Sequence, residues 1–185
     1  MSPSRPVRTL EDLERTVRAI ATEFKTDKIF IIGSQSILLA WPDAPPVMRT
    51  SPEIDAFSGQ RKDLGSPGEG EASRGIPGGI GTYRCLVPAG WQTRAVVRRV
   101  DVGTVTAVAP CPEDIIVSKL ARLDDKDKSF IEAYHSARAL DPHVIEERIR
   151  LSNFESPIAD RALAYIRNLT QIGGSGGGAT GGPPP

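Results

Sequence analysis

The stretch KIFIIGSQSILLAWPDAPPVMRTSPEIDAF, residues 28–57, decides the fold of this chain. It begins with a short apolar run, rich in β-branched and aromatic residues, that ends at a glycine and predicts a buried strand. Residues 34–41 then predict a helix that Pro42 stops, and an irregular Pro-rich loop follows. Residues 53–57, EIDAF, predict a second strand. The order strand, turn, helix, loop and strand places a Gly-Ser pair at a strand-to-helix junction.

The composition is that of an ordinary globular chain. At 185 residues, with 25% charged and 39% hydrophobic residues, it is long enough to bury one sizeable core. Lys plus Arg and Asp plus Glu number 23 each, so the net charge gives no argument for nucleic-acid binding. Any RNA or DNA contact therefore requires a local basic patch.

Cysteine usage and hydropathy predict a soluble cytoplasmic protein without membrane contact. Cys85 and Cys111 are the two cysteines and form no C-x-x-C pair, which favours a reducing compartment, although a single disulfide stays open. Residues 1–20 are charged and amphipathic and lack the apolar core of a signal peptide. No apolar run approaches the roughly 18 to 20 residues that span a bilayer.

The remaining segments predict an α/β (α+β) fold with a mixed sheet. Acids in the first turn and an apolar stripe predict a helix over residues 9–24. Residues 82–88 and 95–110 predict strands, and the second segment reads as a hairpin that turns near 101–103. Such hairpin-length connections favour a mixed sheet over a doubly wound parallel one. The helical patterns that follow cover residues 112–140, 142–150 and 157–171.

Composition also predicts the division of the chain. Residues 1–110 are predicted to form an α/β core, and residues 111–172 a helical part packed on it. Residues 58–81 are rich in glycine and predict a long mobile loop within the core. Residues 173–185, a Gly/Pro tail, cannot bury a core and predict disorder.

The pair Gly33-Ser34 has two interpretations. A glycine at this junction lets backbone N–H groups of a helix N-terminus approach a phosphate, to which Ser34 donates one more hydrogen bond. Alternatively, the pair forms a tight turn in which Ser34 caps the helix. Neither the P-loop pattern nor G-x-G-x-x-G occurs here, so the pair alone does not decide between them.

The acids Glu53 and Asp55 are equally open when considered alone. Residues two apart on a strand point the same way, and two convergent carboxylates suit Mg²⁺, a hard cation that prefers oxygen ligands. The alternative is an exposed strand face with two solvated acids.

The combination of the turn and the acid pair resembles the polymerase-β-like nucleotidyltransferase superfamily, whose signature is Gly-Gly or Gly-Ser followed by Asp-x-Asp on the next strand. MRTSPEIDAF (48–57) resembles a segment of small bacterial members, which include the toxin-type AbiEii group and an uncharacterised family close to it. LVPAGW (86–91) and PEDIIVSKLARLDDKDKSFIEAY (112–134) resemble segments of that uncharacterised family. The resemblance implies that the α/β core over residues 1–110 is nucleotidyltransferase-like. The resemblance covers residues 28–150 apart from the glycine-rich loop.

The resemblance implies roles for individual residues. Glu53 and Asp55 match the metal pair, which would hold Mg²⁺ or Mn²⁺ for catalysis. Lys119 and Asp127 match the lysine and aspartate of the later helical motif and are counted with the catalytic residues. Lys119 would also neutralise the triphosphate.

Nucleotide binding is assigned on the same basis. Gly33 and Ser34 match the turn that holds the phosphates of a nucleoside triphosphate. Arg49 would pair with a phosphate or with the acids, or is an ordinary loop arginine.

Two features depart from the superfamily pattern. Glu53 stands where an aspartate is usual, which moves a metal ligand by one methylene and puts catalysis in doubt. The separation between Ser34 and Glu53 is also long, although the Pro-rich loop can absorb the excess. Asp101 is the best candidate for a third acid, which in the superfamily can act as the base for the attacking hydroxyl.

The expected function is metal-dependent transfer of NMP from an NTP to a hydroxyl. For toxin-type relatives the implied acceptor is an RNA 3′ end such as that of tRNA, with a cognate antitoxin or operon partner; for others it is a small molecule or a protein. The alternative is a catalytically degenerate nucleotidyltransferase fold that binds nucleotide or a partner protein. A purely structural α/β interaction domain is the third possibility, and the oligomeric state is not predicted.

Overall fold

The structure is a computed structural model that describes residues 6–51, 54–58, 87–100 and 104–174. The described chain contains a four-stranded mixed sheet and flanking helices, which confirms the predicted α/β (α+β) fold class. The strands are β1 (Lys28–Ile32), β2 (Asp55–Ser58), β3 (Val96–Val100) and β4 (Val105–Ala109). The helices are α1 (Leu10–Phe24), α2 (Ile37–Ala40), α3 (Pro46–Arg49), α4 (Pro112–Arg122), α5 (Asp125–Ala137), α6 (Pro142–Arg150) and α7 (Ser156–Gly174).

The strand order is β2-β1-β4-β3, so β1 lies inside the sheet. It pairs antiparallel with β2 and parallel with β4, while β3 and β4 form the predicted antiparallel pair. The register sets Ile32, the last residue of β1, opposite Asp55, the first residue of β2. The end of β1 and the start of the acid-bearing strand therefore lie side by side.

Helix α1 confirms the predicted first helix. The Thr9 hydroxyl accepts the Asp12 N–H, and the Asp12 carboxylate accepts the Thr9 N–H, which forms a capping box. Leu13, Val17 and Ala21, spaced at about one helical turn, are buried in the core. This packing covers one face of the sheet.

Some sequence predictions fall on residues that the structure does not describe. They are the glycine-rich loop from residue 59 onward, the part of the strand predicted over 82–88 that precedes residue 87, the hairpin turn at 101–103, and the tail from residue 175. Residues 87 and 88 are described and carry no strand. Among the described helices, none is long and apolar enough to cross a bilayer.

The prediction of one continuous helical region from Pro112 to residue 140 is wrong at its middle. Leu123 takes a left-handed conformation with φ 56°, which ends α4, and Asp124 caps the next helix by accepting the Asp127 N–H. Only two residues, Leu123 and Asp124, separate the end of α4 from the start of α5. As a result α4 and α5 pack against each other.

A single hydrophobic cluster extends from α1 and the sheet to the C-terminal helices, with Leu13, Ile31, Ile116, Ile145 and Ile166 among its members. The helices after β4 thus share the core of the sheet. The division into parts at residues 110 and 111 stays a prediction.

A buried ionic cluster joins three elements at one end of this core. The Asp114 side chain is fully buried and accepts two hydrogen bonds from Arg94, at 3.1 and 3.2 Å. Arg148 of α6 lies 3.5 Å from the same carboxylate. Arg94 also donates to the carbonyls of Ala89 and Gly90, so the cluster holds the segment before β3 against α4.

We expect Asp114→Ala to lower the free energy of unfolding by about 3–5 kcal/mol, because it leaves two half-buried arginines without their carboxylate. Urea unfolding measures the change. Glu11→Ala is the control, since its ion pair with Arg15 is exposed and contributes little. Equal losses of unfolding free energy in the two variants would contradict a stabilising role for the buried ionic cluster around Asp114.

Candidate nucleotide and metal site

Gly33 forms a turn that few other residues could adopt. Its backbone angles, φ 73° and ψ −164°, lie in a region essentially restricted to glycine. A short 3₁₀ turn, Ser34–Ser36, follows directly and leads into α2. The strand-to-helix junction predicted from the sequence is therefore present, with a 3₁₀ turn as its first part.

The turn is in close contact with the acid-bearing strand. A Cβ atom placed on Gly33 would lie 2.7 Å from Oδ2 of Asp55, which is closer than a carbon and an oxygen can approach. The absence of a side chain at Gly33 is what makes room for the carboxylate. The fold thus brings together the glycine of the predicted phosphate turn and one acid of the predicted metal pair.

The structure describes only one of the two acids predicted to bind a metal ion. Glu53 lies outside the described residues, and within those residues no group of three or more His, Cys, Asp or Glu side chains could hold a metal ion. Mg²⁺ in nucleotide-dependent enzymes is commonly held by one or two carboxylates together with water and substrate phosphates. Asp55 beside a glycine turn fits that kind of site.

Lys119 reaches the turn from α4. Its Nζ donates to Ser34 Oγ at 2.9 Å and to Asp127 Oδ1 at 3.1 Å, and it lies 4.3 Å from the centre of the Phe130 ring. Because Ser34 Oγ accepts from Lys119, its own O–H points elsewhere and can donate. The ammonium has a third N–H, which no described acceptor occupies.

Burial determines the electrostatics of Lys119. The side chain is only 5% exposed, and this desolvation lowers its pKa below the usual value of a lysine. The neighbouring Asp127 carboxylate opposes the effect because it favours the charged ammonium. The ion pair therefore keeps a positive charge at a place where an unpaired lysine would tend to lose it.

Asp127 is fully buried and has both oxygens occupied. Arg122 donates to Oδ2 from Nε at 2.8 Å and to Oδ1 from Nη2 at 2.9 Å, so the pair is bidentate. Burial by itself would raise the pKa of Asp127, but the hydrogen bonds from Arg122 and the charge of Lys119 outweigh it, and the pKa is lowered. The carboxylate is held ionised.

Arg122 is a residue of this network that the sequence interpretation missed. Its spacing from Lys119, three positions along α4, places both on adjacent parts of one helix face. The role of Arg122 was hard to predict from the sequence, because its contact with Asp127 depends on the break between α4 and α5 at Leu123. That break was not predicted.

Arg49 makes structural contacts in this fold. Its guanidinium donates to the carbonyls of Ala44 and Arg8, at 2.6 and 3.2 Å. The Gln35 side chain donates to the Arg49 carbonyl at 3.1 Å, which ties the phosphate turn to the segment that leads to β2. These bonds match the loop-arginine alternative, and a contact of Arg49 with phosphate stays a prediction.

The tertiary structure therefore gathers five of the predicted site residues at one end of the sheet: Gly33, Ser34, Asp55, Lys119 and Asp127. Lys119 and Asp127 lie 85 and 93 residues beyond Ser34 in sequence, so the tertiary fold alone brings them to the turn. The cluster offers a hydroxyl and an ammonium donor at the turn, where the Asp55 carboxylate lies against Gly33.

Gly33→Ala tests the close approach. We expect the free energy of unfolding to fall by roughly 1–3 kcal/mol because the alanine strains the backbone, and to fall further because its Cβ clashes with Asp55. In an Asp55→Ala background the clash is gone, so Gly33→Ala should lower the free energy of unfolding by a smaller amount. The expected coupling free energy between the two substitutions is about 0.5–3 kcal/mol.

Thermal and urea unfolding of the four proteins in this cycle give the coupling. Gly90→Ala is the matched control, since Gly90 also has a positive φ, 72°, but a Cβ there meets only the end of the Arg94 side chain. A Gly33→Ala cost that does not change when Asp55 is removed would refute the contact.

The lowered pKa of Asp127 predicts that the protein loses part of its folding stability at acid pH. Its folded-state pKa lies below the ordinary 3.8, so the stabilisation is fully present above that value and is lost as pH falls through the folded-state pKa. We expect Asp127→Asn to be less stable near neutral pH and to lose less stability between about pH 5 and pH 2. Urea unfolding across this range checks it, and parallel curves for the two proteins would contradict it.

Comparison with known families agrees with this geometry. Residues 8–166 match the family described as "Nucleotidyltransferase of unknown function (DUF6036)". Searches of curated proteins and of solved structures found no match. The matched span includes the turn, the acid-bearing strand and the helices of Lys119 and Asp127, and on this basis the chain belongs to the DUF6036 family of nucleotidyltransferases of unknown function.

Proposed function

We propose that the protein is a metal-dependent nucleotidyltransferase that moves NMP from an NTP to a hydroxyl acceptor. The observation that carries the proposal is the hydrogen bond between Lys119 Nζ and Ser34 Oγ, 2.9 Å long, made across 85 positions of sequence. It sets a buried cation and a hydroxyl donor together at a glycine turn, beside a carboxylate. Phosphate groups and a bound cation need such a combination of charges.

The turn and Lys119 would hold the phosphates. Ser34 supplies an O–H donor, and Lys119 supplies a charge-assisted N–H donor from a site with little water around it. Hydrogen bonds of this kind are stronger in a low-dielectric site than in water. Asp127, fixed by Arg122, would keep the ammonium charged and in place as the nucleotide arrives.

The metal would be Mg²⁺ or Mn²⁺, with Asp55 and Glu53 as its protein ligands. When bound, it would supply charge neutralisation of the triphosphate and of the departing pyrophosphate. The acceptor oxygen would form a bond with the α-phosphorus while the bond to the bridging α–β oxygen breaks, and pyrophosphate leaves with that electron pair. The hydroxyl proton would pass to a base, for which Asp101 is the candidate.

The acceptor in this proposal is an RNA 3′ end such as that of tRNA, as for the toxin-type relatives that the motifs resemble. The supporting feature is the resemblance of residues 48–57 to a segment shared by those proteins. A cognate antitoxin or operon partner belongs to the same proposal. Small molecules and proteins are the alternative acceptors.

A second candidate function is a degenerate nucleotidyltransferase fold that binds nucleotide without turnover. Glu53 in place of aspartate favours it, because the longer side chain changes the position of one metal ligand. Calorimetry with each NTP and Mg²⁺ separates the two functions when it is paired with an assay of NTP consumption in the presence of total RNA. Binding without consumption supports the second function, and absence of binding rejects both.

Asp55→Ala provides the direct test of catalysis. We expect NMP transfer to fall below detection, because the metal would lose Asp55 as a ligand. The far-UV spectrum should stay that of a folded protein. Release of labelled pyrophosphate with Mn²⁺ or Mg²⁺ is the measurement. Asp43→Asn, at an exposed acid of the Pro-rich loop, is the control and should retain full activity. Continued transfer by a folded Asp55→Ala protein would exclude the proposed mechanism.

A further inference from the structure

We propose that the face of the sheet opposite α1 binds the single-stranded 3′ end of an acceptor RNA and holds its terminal hydroxyl at Asp55. The inference deepens the proposed function and rests on it, since this face carries the acid assigned to the metal. It arises from the strand registers, which align acidic, aromatic and basic side chains in successive rows.

The two faces of the sheet differ in what covers them. Arg98 of β3 donates to Glu14 of α1 at 3.1 Å, so Arg98 lies on the face that α1 covers. Successive residues of a strand point to opposite faces, which places Val97 and Arg99 on the other face. Both residues are exposed, and Val97 keeps 60% of its accessible surface. This second face is therefore accessible at β3.

The registers align the side chains of this second face in rows across the strands. The first row, next to the glycine turn, pairs Ile32 with Asp55. The second row contains Phe57, Phe30, Val108 and Val97, and the third contains Lys28, Thr106 and Arg99. Together these side chains form what we call the open face.

The second row carries an aromatic surface. Phe30 and Phe57 stack with 5.5 Å between their ring centroids and 16° between their planes. Trp91, from the segment before β3, meets the Phe30 ring edge-on at 6.0 Å. All three residues are partly exposed, whereas Ile29 and Ile31, which point the other way from β1, are fully buried. Accessible rings of this kind are suited to stack with unpaired bases.

The third row supplies positive charge. Lys28 and Arg99 lie on either side of Thr106 and are exposed. Neither has an ion-pair partner among the residues that the structure describes. Asp55 is the only acid within the four described strands. Away from the metal site, the charged strand residues of the open face are therefore cationic, which suits the phosphates of a nucleic-acid backbone.

The order of the rows indicates the class of ligand. A strand whose 3′ hydroxyl lies at Asp55 would place its last bases over the aromatic row and earlier phosphates at the basic row. The acidic and basic rows are four residues apart along β1, about 13 Å, and a stacked strand covers this span with a few nucleotides at about 3.4 Å each. A duplex fits less well, because its bases already stack on one another and offer no free ring faces.

Phe57→Leu and Arg99→Gln test the two rows separately. The measurement is the fluorescence anisotropy of a labelled single-stranded RNA with a free 3′ end, in Mg²⁺ without NTP, over a range of salt concentrations. We expect Phe57→Leu to weaken binding about tenfold, as for loss of one base–aromatic stack, and to leave the salt dependence unchanged. Arg99→Gln should reduce the slope of log Kd against log salt by about 0.7, the value for one phosphate contact on a single strand.

Each substitution has a matched control. Arg98→Gln removes the neighbouring arginine on the covered face, and Phe24→Leu changes a phenylalanine of α1 that is 53% exposed. Both controls should bind RNA like the wild type, and Phe57→Tyr should retain its affinity because the ring is kept. Far-UV spectra check that each variant is folded. Arg99→Gln, at an exposed position, keeps the test decisive if Phe57→Leu destabilises the protein.

The outcomes separate this inference from the proposed function. RNA binding that neither Phe57→Leu nor Arg99→Gln alters overturns the inference, while NMP transfer by the wild type would still support the proposed function. RNA binding that depends on both residues, in a wild type that transfers no NMP, supports the inference and rejects the transferase. A wild type that binds no RNA, or that prefers duplex RNA or single-stranded DNA, overturns the inference.

Discussion

The buried ion pair between Lys119 and Asp127 is the constraint on which the rest of the site depends. A lysine that is 5% exposed needs a carboxylate nearby, and a fully buried aspartate needs donors for both oxygens. Arg122 completes the set, so three side chains from two helices must meet at fixed distances. Because Lys119 also bonds Ser34, the same pair fixes the position of α4 relative to the glycine turn.

The opposite side of the site is held by backbone contacts. Asp55 lies against Gly33 because β1 and β2 are paired and because Gly33 has no side chain. The segment before β2 is fixed in turn by Gln35, which binds the Arg49 carbonyl, and by Arg8, whose N–H donates to that same carbonyl. The acid and the phosphate turn are thereby positioned by neighbours that carry no catalytic role in the proposal.

The sequence could predict these elements because their signals are local. The apolar run before Gly33, the acid pair on the next strand and the first-turn acids of α1 each specify structure within a few residues. The break between α4 and α5 was missed, since a left-handed Leu123 carries no glycine to indicate it. Arg122 was missed for the same reason, because its contact with Asp127 exists only when the chain turns there. Motif resemblance supplied Lys119 and Asp127 without giving their contacts.

The sequence by itself determined the opening order of helix, strand, turn, helix and strand, the glycine turn, and the residue types suited to phosphates and a metal ion. Periodicity and turn chemistry act over short distances, so they are readable from the chain alone. Only the tertiary structure decided that Lys119 reaches Ser34, that Asp55 contacts Gly33 and that Arg122 shares the charge of Asp127. Those contacts depend on how the sheet and the helices pack around one core, and no local pattern encodes that packing.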